Sequence, residues 1–232
     1  MHAFAAAAQR AGADIRTGVR VLSIETDGTR VTGVRTATEM IPAERVIVAA
    51  GVYAPKLLDP LGIHIPFDIV VVPAIQTEVV DPLLGQVLGI PTGGFAGRQQ
   101  ADGRFRLTGS SIPWTATEHT AENVMPTLAQ ISDTITWSTR LIPALKEVRA
   151  TSLWGGLIDK TPDALPVIEV TPEVEGLVVA TGFSGHGFCL GPVTGEILAD
   201  LVTEGITSHP IAPFARARLD SMGKTEDVTL HG

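Results

Sequence analysis

The sequence predicts an α/β chain, α+β overall, folded as two lobes, and three observations carry that prediction. Near the C-terminus an apolar strand pattern, Gly176 to Ala180, enters a glycine-rich loop, Gly182 to Pro192, and then a helical stretch, Val193 to Val202. A second apolar run, Arg45 to Ala50, is closed by Gly51 and does not alternate, as expected for a strand covered on both faces. Between them, from about Pro66 to Trp114, β-branched runs are broken by Pro73, Pro82, Pro91 and Gly93-Gly94, which reads as an antiparallel sheet.

The elements follow in order. Ala-rich His2 to Ala11 predicts a helix with Gly12 as its C-cap. Val19, Val21 and Ile24 open a strand, Asp27-Gly28 signals a hairpin, and Arg30 to Thr36 is the return strand. In the middle region Asp102-Gly103 fits a second hairpin. Thr120 to Leu145 reads as helical, interrupted by Pro126 and ended near Pro143. Leu153 to Ile168 reads as loop and strand, and Gly176 onward returns to the first lobe. The lobes are expected at residues 1–65 with 150–232, and at 66–149.

Composition narrows the function classes. The 232 residues are 44% hydrophobic and 18% charged, so the chain can bury a core and is not of disordered type. A net charge of −8 without a basic run argues against nucleic acid as a partner. A single cysteine, Cys189, excludes an intrachain disulfide framework. No apolar run approaches the roughly 18–20 residues of a membrane span, and the N-terminus lacks signal-peptide organisation. The expectation is a cytoplasmic protein. The scattered histidines predict no metal site.

Chemistry concentrates in three segments. The strand–glycine loop–helix order at Gly182–Pro192 lets bare backbone approach a flat or anionic ligand, with partial positive charge at the helix end. Pro192 suits the first helical position. Val46 to Gly51 ends a strand in small residues, which admits a ligand to the sheet, although a tight turn explains it equally. Trp154-Gly155-Gly156 with Thr161-Pro162-Asp163 combines an aromatic, paired glycines and a turn.

In this order the segments resemble the C-terminal part of the D-amino-acid-oxidase-like FAD-dependent oxidoreductases. That superfamily includes glycine and sarcosine oxidases and the flavoprotein subunits of opine and D-hydroxyproline dehydrogenases. The matching residues are Gly12 to Ile15 through Val21, Val48 to Gly51, Trp154 to Gly156, Thr161 to Ile168, and the Gly182–Pro192 loop. The resemblance implies a partial FAD-binding α/β lobe and an antiparallel-sheet substrate lobe. It implies oxidation of the C–N bond of an amino acid, imino acid or related secondary amine by hydride transfer to flavin, with heteromeric dehydrogenase subunits as possible partners. It places Val21 near adenine and Ala49, Ala50 and Gly51 along the cofactor. Gly156 and the run Gly182, Phe183, Ser184, Gly185, His186, Gly187, Phe188 and Cys189 would complete the FAD contacts. His186 would be the catalytic side chain, or a loop residue fixed by its backbone. Arg98 and Trp154 would face substrate, with a solvated loop position the alternative for Arg98.

Two departures stand out. No strand–GxGxxG–helix unit is present, so Met1 reads as an internal methionine and the chain as the C-terminal portion of a longer protein. Ile158 and Gly185 stand where glycine-oxidase-like relatives carry arginines that clamp the substrate carboxylate. A non-catalytic remnant or assembly module, unable to hold FAD without a partner chain, is therefore the competing reading. Ser184, His186 and Asp163 invite a hydrolase triad, but the G-x-S-x-G elbow is absent. Tyr53 is expected to pack, and Cys189 to be a small core residue.

Overall fold

A computed structural model describes residues 2–91, 94–116 and 124–222. Helix α1 (His2–Arg10) ends at Gly12, whose φ of +95° suits the left-handed position. The N–H of Ala13 reaches back to the carbonyl of Ala8 at 3.0 Å. None of the α1 side chains is buried. Strands β1 (Val21–Thr26), β2 (Val31–Thr36) and β3 (Met40–Pro42) form an antiparallel sheet. The first hairpin is longer than an Asp-Gly pair alone: Asp27 Oδ1 accepts from the N–H groups of Thr29 and Arg30, each at 3.0 Å, and the return strand begins at Val31.

Strand β4 (Val46–Val48) leads through a 3₁₀ turn, Gly51–Tyr53, into the short helix α2 (Ala54–Leu58). Next come β5 (Asp68–Val79), β6 (Leu88–Gly89), β7 (Phe95–Gln99), β8 (Arg104–Gly109) and β9 (Ile112–Pro113). Helix α3 (Leu128–Leu141) and β10 (Ala150–Lys160) complete this lobe. The sheet order is β10-β5-β8-β7-β6, with β9 paired to β5, and every pairing is antiparallel. The long partner strand β10 pairs with β5 from Ala150 to Lys160, so the lobe boundary expected at residue 150 falls at the start of a sheet strand.

Helix α3 begins at Leu128, later than Thr120, because Thr127 caps it: its hydroxyl accepts the N–H of Gln130, whose side chain returns to the Thr127 N–H. Residues 120–123 of the expected helix lie outside the described residues. Gln130 is buried and also donates to the carbonyls of Val71 and Ser110, fixing α3 to one face of the sheet. Phe95, Phe105, Ile75, Leu107 and Leu145 fill that interface.

The third sheet is β11 (Val167–Val170), β12 (Leu177–Thr181) and β4, with β12 and β4 parallel. All five β12 residues are buried. Strand β4 is not buried on both faces as its composition suggests: Ile47 is 41% exposed, because its side chain lines an open cleft. Helix α4 (Gly187–Thr203) starts five residues before Pro192, which sits inside it and not at its first position. The missing proline N–H leaves the Phe188 carbonyl without its helical donor.

The C-terminal 3₁₀ segment Arg216–Ser221 ties back to the 161–163 turn. Arg218 Nε and Nη2 meet Asp163 Oδ2 and Oδ1 at 2.7 and 3.2 Å, and Nη2 also donates to the Leu165 carbonyl. Arg216 pairs with Glu169 and Glu173. Burial works to raise the Asp163 carboxyl. The Arg218 guanidinium and the Leu165 N–H outweigh it and hold the carboxyl below its ordinary value of 3.8. This stabilisation is complete above that ordinary value and is lost as pH falls through the depressed one. Arg218→Met is expected to cost about 2 kcal/mol at neutral pH. Its difference from the parent in urea midpoint should shrink once the medium is acid enough to protonate Asp163 in both states.

Candidate functional site

The glycine loop is held by a buried carboxylate at the end of β10. Asp159 is 8% exposed, and its Oδ2 accepts the N–H of Gly182 at 2.7 Å and faces the Thr181 hydroxyl at 3.1 Å. Its own carbonyl accepts the N–H of Ser184 at 3.1 Å. The Thr181 hydroxyl also lies 3.1 Å from the carbonyl of Gly51, which joins the loop to the turn after β4. Gly182 has φ +72°, and a Cβ there would stand 2.5 Å from Thr161 Cγ2. Ser184, at φ +49°, is fully buried with its hydroxyl 3.1 Å from that of Thr161. The chain thus leaves β12 in a turn that admits little variation, and α4 starts directly from it.

Half-buried His186 is the N-cap residue of α4, and the N–H groups of Gly187, Phe188 and Cys189 open the first turn. Such N–H groups lack helical acceptors and favour negative charge. Gly185 is exposed at φ +91°, and a Cβ on it would approach Ile158 Cδ1 at 3.5 Å. Ile158, Gly156 and Trp154 alternate along β10 and share one sheet face. A Cβ at Gly156 would meet nothing within 4 Å, so bare backbone is open there. On the other face a Cβ at Gly155 would collide with the Val124 carbonyl. The paired glycines therefore do different things: one admits close packing, the other leaves space.

Val21, Ala49 and Ala50 line a cleft of about 880 Å³ between β1 and β4, together with Ile47, Tyr53, Arg20 and Lys56. Tyr53 does not pack away as expected. It is 44% exposed, since the 3₁₀ turn presents it to this cleft.

The other sequence candidates fall in several places. Phe183 packs against the cluster of Ile168, Val178, Ala180 and Ile197. Phe188 is 77% exposed. Cys189 is exposed and not a core residue, because the earlier start of α4 turns it outward; its Sγ donates to the His186 carbonyl at 3.0 Å. Arg98 is exposed on β7, on the same sheet face as Trp154 and across two intervening strands. No hydrolase triad assembles, as Ser184 is engaged by Thr161 and Asp163 by Arg218. Among the described residues no cluster of three or more His, Cys, Asp or Glu side chains could hold a metal, and no helix is long and apolar enough to cross a membrane.

Two site residues escape the sequence reading. Asp159 had one available signal, an acidic residue inside an otherwise apolar strand. Arg106, whose guanidinium carbon lies 5.1 Å from the Trp154 ring centroid, had none, since only strand register brings the two together.

A flat, partly anionic cofactor fits this arrangement. Open backbone runs from Gly156 to Gly185, a helix N-terminus adjoins it, and a cleft rimmed by two cations lies near β4. Comparison with known proteins agrees. The profile of the family described as FAD dependent oxidoreductase matches residues 1–201. The chain is 31% identical over 218 residues to hydrogen cyanide synthase subunit HcnC of Pseudomonas aeruginosa, covering 93% of this chain and 50% of that protein. It is 26% identical over 234 residues to sarcosine oxidase subunit beta of Rhizobium meliloti, covering 98% and 55%. Among solved structures, L-proline dehydrogenase from P. horikoshii superposes with a TM-score of 0.85 at 28% identity, covering 94% of this chain and 58% of that one. The chain thus spans about half the length of the curated relatives it matches. From the glycine loop, the two mixed α/β and antiparallel lobes and the match across most of its length, the chain belongs to the DAO family of FAD-dependent oxidoreductases.

Proposed function

We propose that this chain forms the flavin-facing and substrate-lobe part of an oxidoreductase that oxidises the C–N bond of an amino acid, imino acid or related secondary amine. The observation that carries the reading is the Gly182–His186 turn, pinned by Asp159 and feeding the N-terminus of α4 beside the open backbone of Gly156 and Gly185. FAD, when bound, supplies the two-electron acceptor that takes hydride from the carbon bearing nitrogen. The rest is the work of this chain's residues. The N–H groups of Gly187, Phe188 and Cys189 favour negative charge at the loop, an effect of a fraction of a kcal/mol to ~2 kcal/mol. Ile158 and Trp154 wall the space above Gly156, and His186 is the titratable side chain of the loop and the proposed proton acceptor. The contacts of Val21, Ala49, Ala50 and Gly51 with the cofactor are part of the same proposal.

Relatives named as subunits favour a heteromeric assembly. The cleft beside the one-sided strand β4 favours the second reading, a module that holds FAD only with further polypeptide. The absorbance of purified chain mixed with FAD and freed of excess tests the first. Bands at roughly 370 and 450 nm, with anaerobic bleaching by an amine, are expected. A chain that stays colourless overturns the proposal for this chain and leaves the module reading.

A further inference from the structure

The face of the six-stranded sheet opposite α3 carries an arrangement that nothing among the described residues balances. Arg98, Arg106, Gln76 and Ser152 lie directly opposite one another across β7, β8, β5 and β10, so all four share a face. Trp154, Gly156 and Ile158 continue that face along β10. Arg106 lies over the Trp154 ring, and its Nη2 donates to Gln76 Oε1 at 3.0 Å. Like charges directly opposite on neighbouring strands repel. Among the described residues neither Arg98 nor Arg106 forms an ion pair with a carboxylate.

A second observation points the same way. Among the described residues, two buried side-chain polar atoms lack a hydrogen-bond partner: Arg106 Nε and Gln100 Nε2. Both are N–H donors. Gln100 follows Arg98 by two positions, and its backbone N–H bonds the Arg104 carbonyl, so it borders the same patch. Leaving a buried donor unpaired is costly, and what both lack is an acceptor.

Position then selects the ligand. Arg106 is level with Ser152, six residues along β10 from Ile158, or about 20 Å at strand spacing. Its guanidinium leans back to Trp154, still four residues, or about 13 Å, from the Ile158–Gly185 contact. A carboxylate bonded to the reacting carbon cannot span that gap, whereas one carried about ten bonds away, at about 1.2 Å per bond in an extended chain, can. We infer that Arg106, with Arg98 beside it and Gln76 and Trp154 orienting it, binds the distal carboxylate of an extended amine substrate. The substrate class is then a secondary amine bearing a carboxylate remote from the oxidised carbon, with the reaction centre at the Gly185 end as proposed above.

The test is titration of chain labelled with ¹⁵N-arginine, with and without FAD, using 9-(methylamino)nonanoate, whose carboxylate lies ten bonds from the N-methyl carbon, as probe and sarcosine as the short comparison. The Arg106 Nε–H resonance is expected to shift and saturate with the long probe. Arg106→Gln should weaken that probe about tenfold or more. Arg106→Lys, which keeps charge but not the planar fork, should recover only part of it. Arg98→Gln, at an exposed position, should weaken it about threefold, and it decides the matter if Arg106→Gln does not fold. Sarcosine affinity should be the same in all. Absence of a saturable shift, or an unchanged Kd in Arg106→Gln or in Arg98→Gln, overturns the site. Failure to bind FAD while the probe still binds counts against the flavin reading and not against this site.

Discussion

Gly182→Ala is expected to destabilise the protein by about 2–5 kcal/mol, the largest single effect in the glycine loop. Two costs combine. A side chain at φ +72° meets a left-handed penalty of about 1–2 kcal/mol. The new methyl would also press on Thr161 Cγ2, and overpacking of this kind costs about 1–3 kcal/mol. Thr161 is fully buried, so it cannot swing aside. Urea midpoints should show the loss. Gly191→Ala in α4, where a Cβ meets nothing within 4 Å, should be neutral or slightly stabilising. Equal midpoints for the two variants would remove the argument that the loop is shaped by this contact.

Asp159→Ala comes next. It removes the acceptor of the Gly182 N–H and a partner of the Thr181 hydroxyl, both buried. An unsatisfied buried group costs about 1–3 kcal/mol, so a loss of about 2–4 kcal/mol is expected. Asp159→Asn keeps an oxygen for the Gly182 N–H and should recover part of it. The same change should speed amide hydrogen exchange at Gly182 and Ser184 while leaving the α3 amides protected, because α3 packs against β5, β7 and β8, away from the end of β10 that carries Asp159. Uniformly faster exchange would mean that Asp159 is only one more core contact and not the fastener of the loop.

Both residues show how reading and folding divide. Gly182 was legible as a glycine in a strand-to-helix loop. Its necessity was not, because Thr161 lies 21 positions away and only the fold brings its methyl close. Asp159 sits in an apolar run, Leu157-Ile158-Asp159, where a carboxylate is anomalous by local criteria. Its partners at 181 and 182 are set by β10 ending against the exit of β12. The start of α4 was misplaced for a related reason. Proline is a strong local signal for a first helical turn, yet the tight Gly182–His186 turn already starts the helix at Gly187, and the chain accepts Pro192 inside it.

Strand composition misled in one place and guided in another. Val46-Ile47-Val48 is apolar throughout, yet β4 has a neighbour on one side only among the described strands, and Ile47 faces a cleft. The hairpins at Asp27-Gly28 and Asp102-Gly103 formed where their turn residues stand, since φ above zero at Gly28 and Gly103 is a local demand that tertiary context seldom overrides.

The sequence by itself determined the lobe types, the family and the glycine loop, because hydrophobic period, turn chemistry and motif order are local properties of the chain. Only the tertiary structure decided what holds that loop and what faces it. Asp159 reaches Gly182 across 23 residues and Arg106 reaches Trp154 across 48. Strand register, which no short window encodes, is what places a carboxylate under one turn and a pair of arginines on one open face.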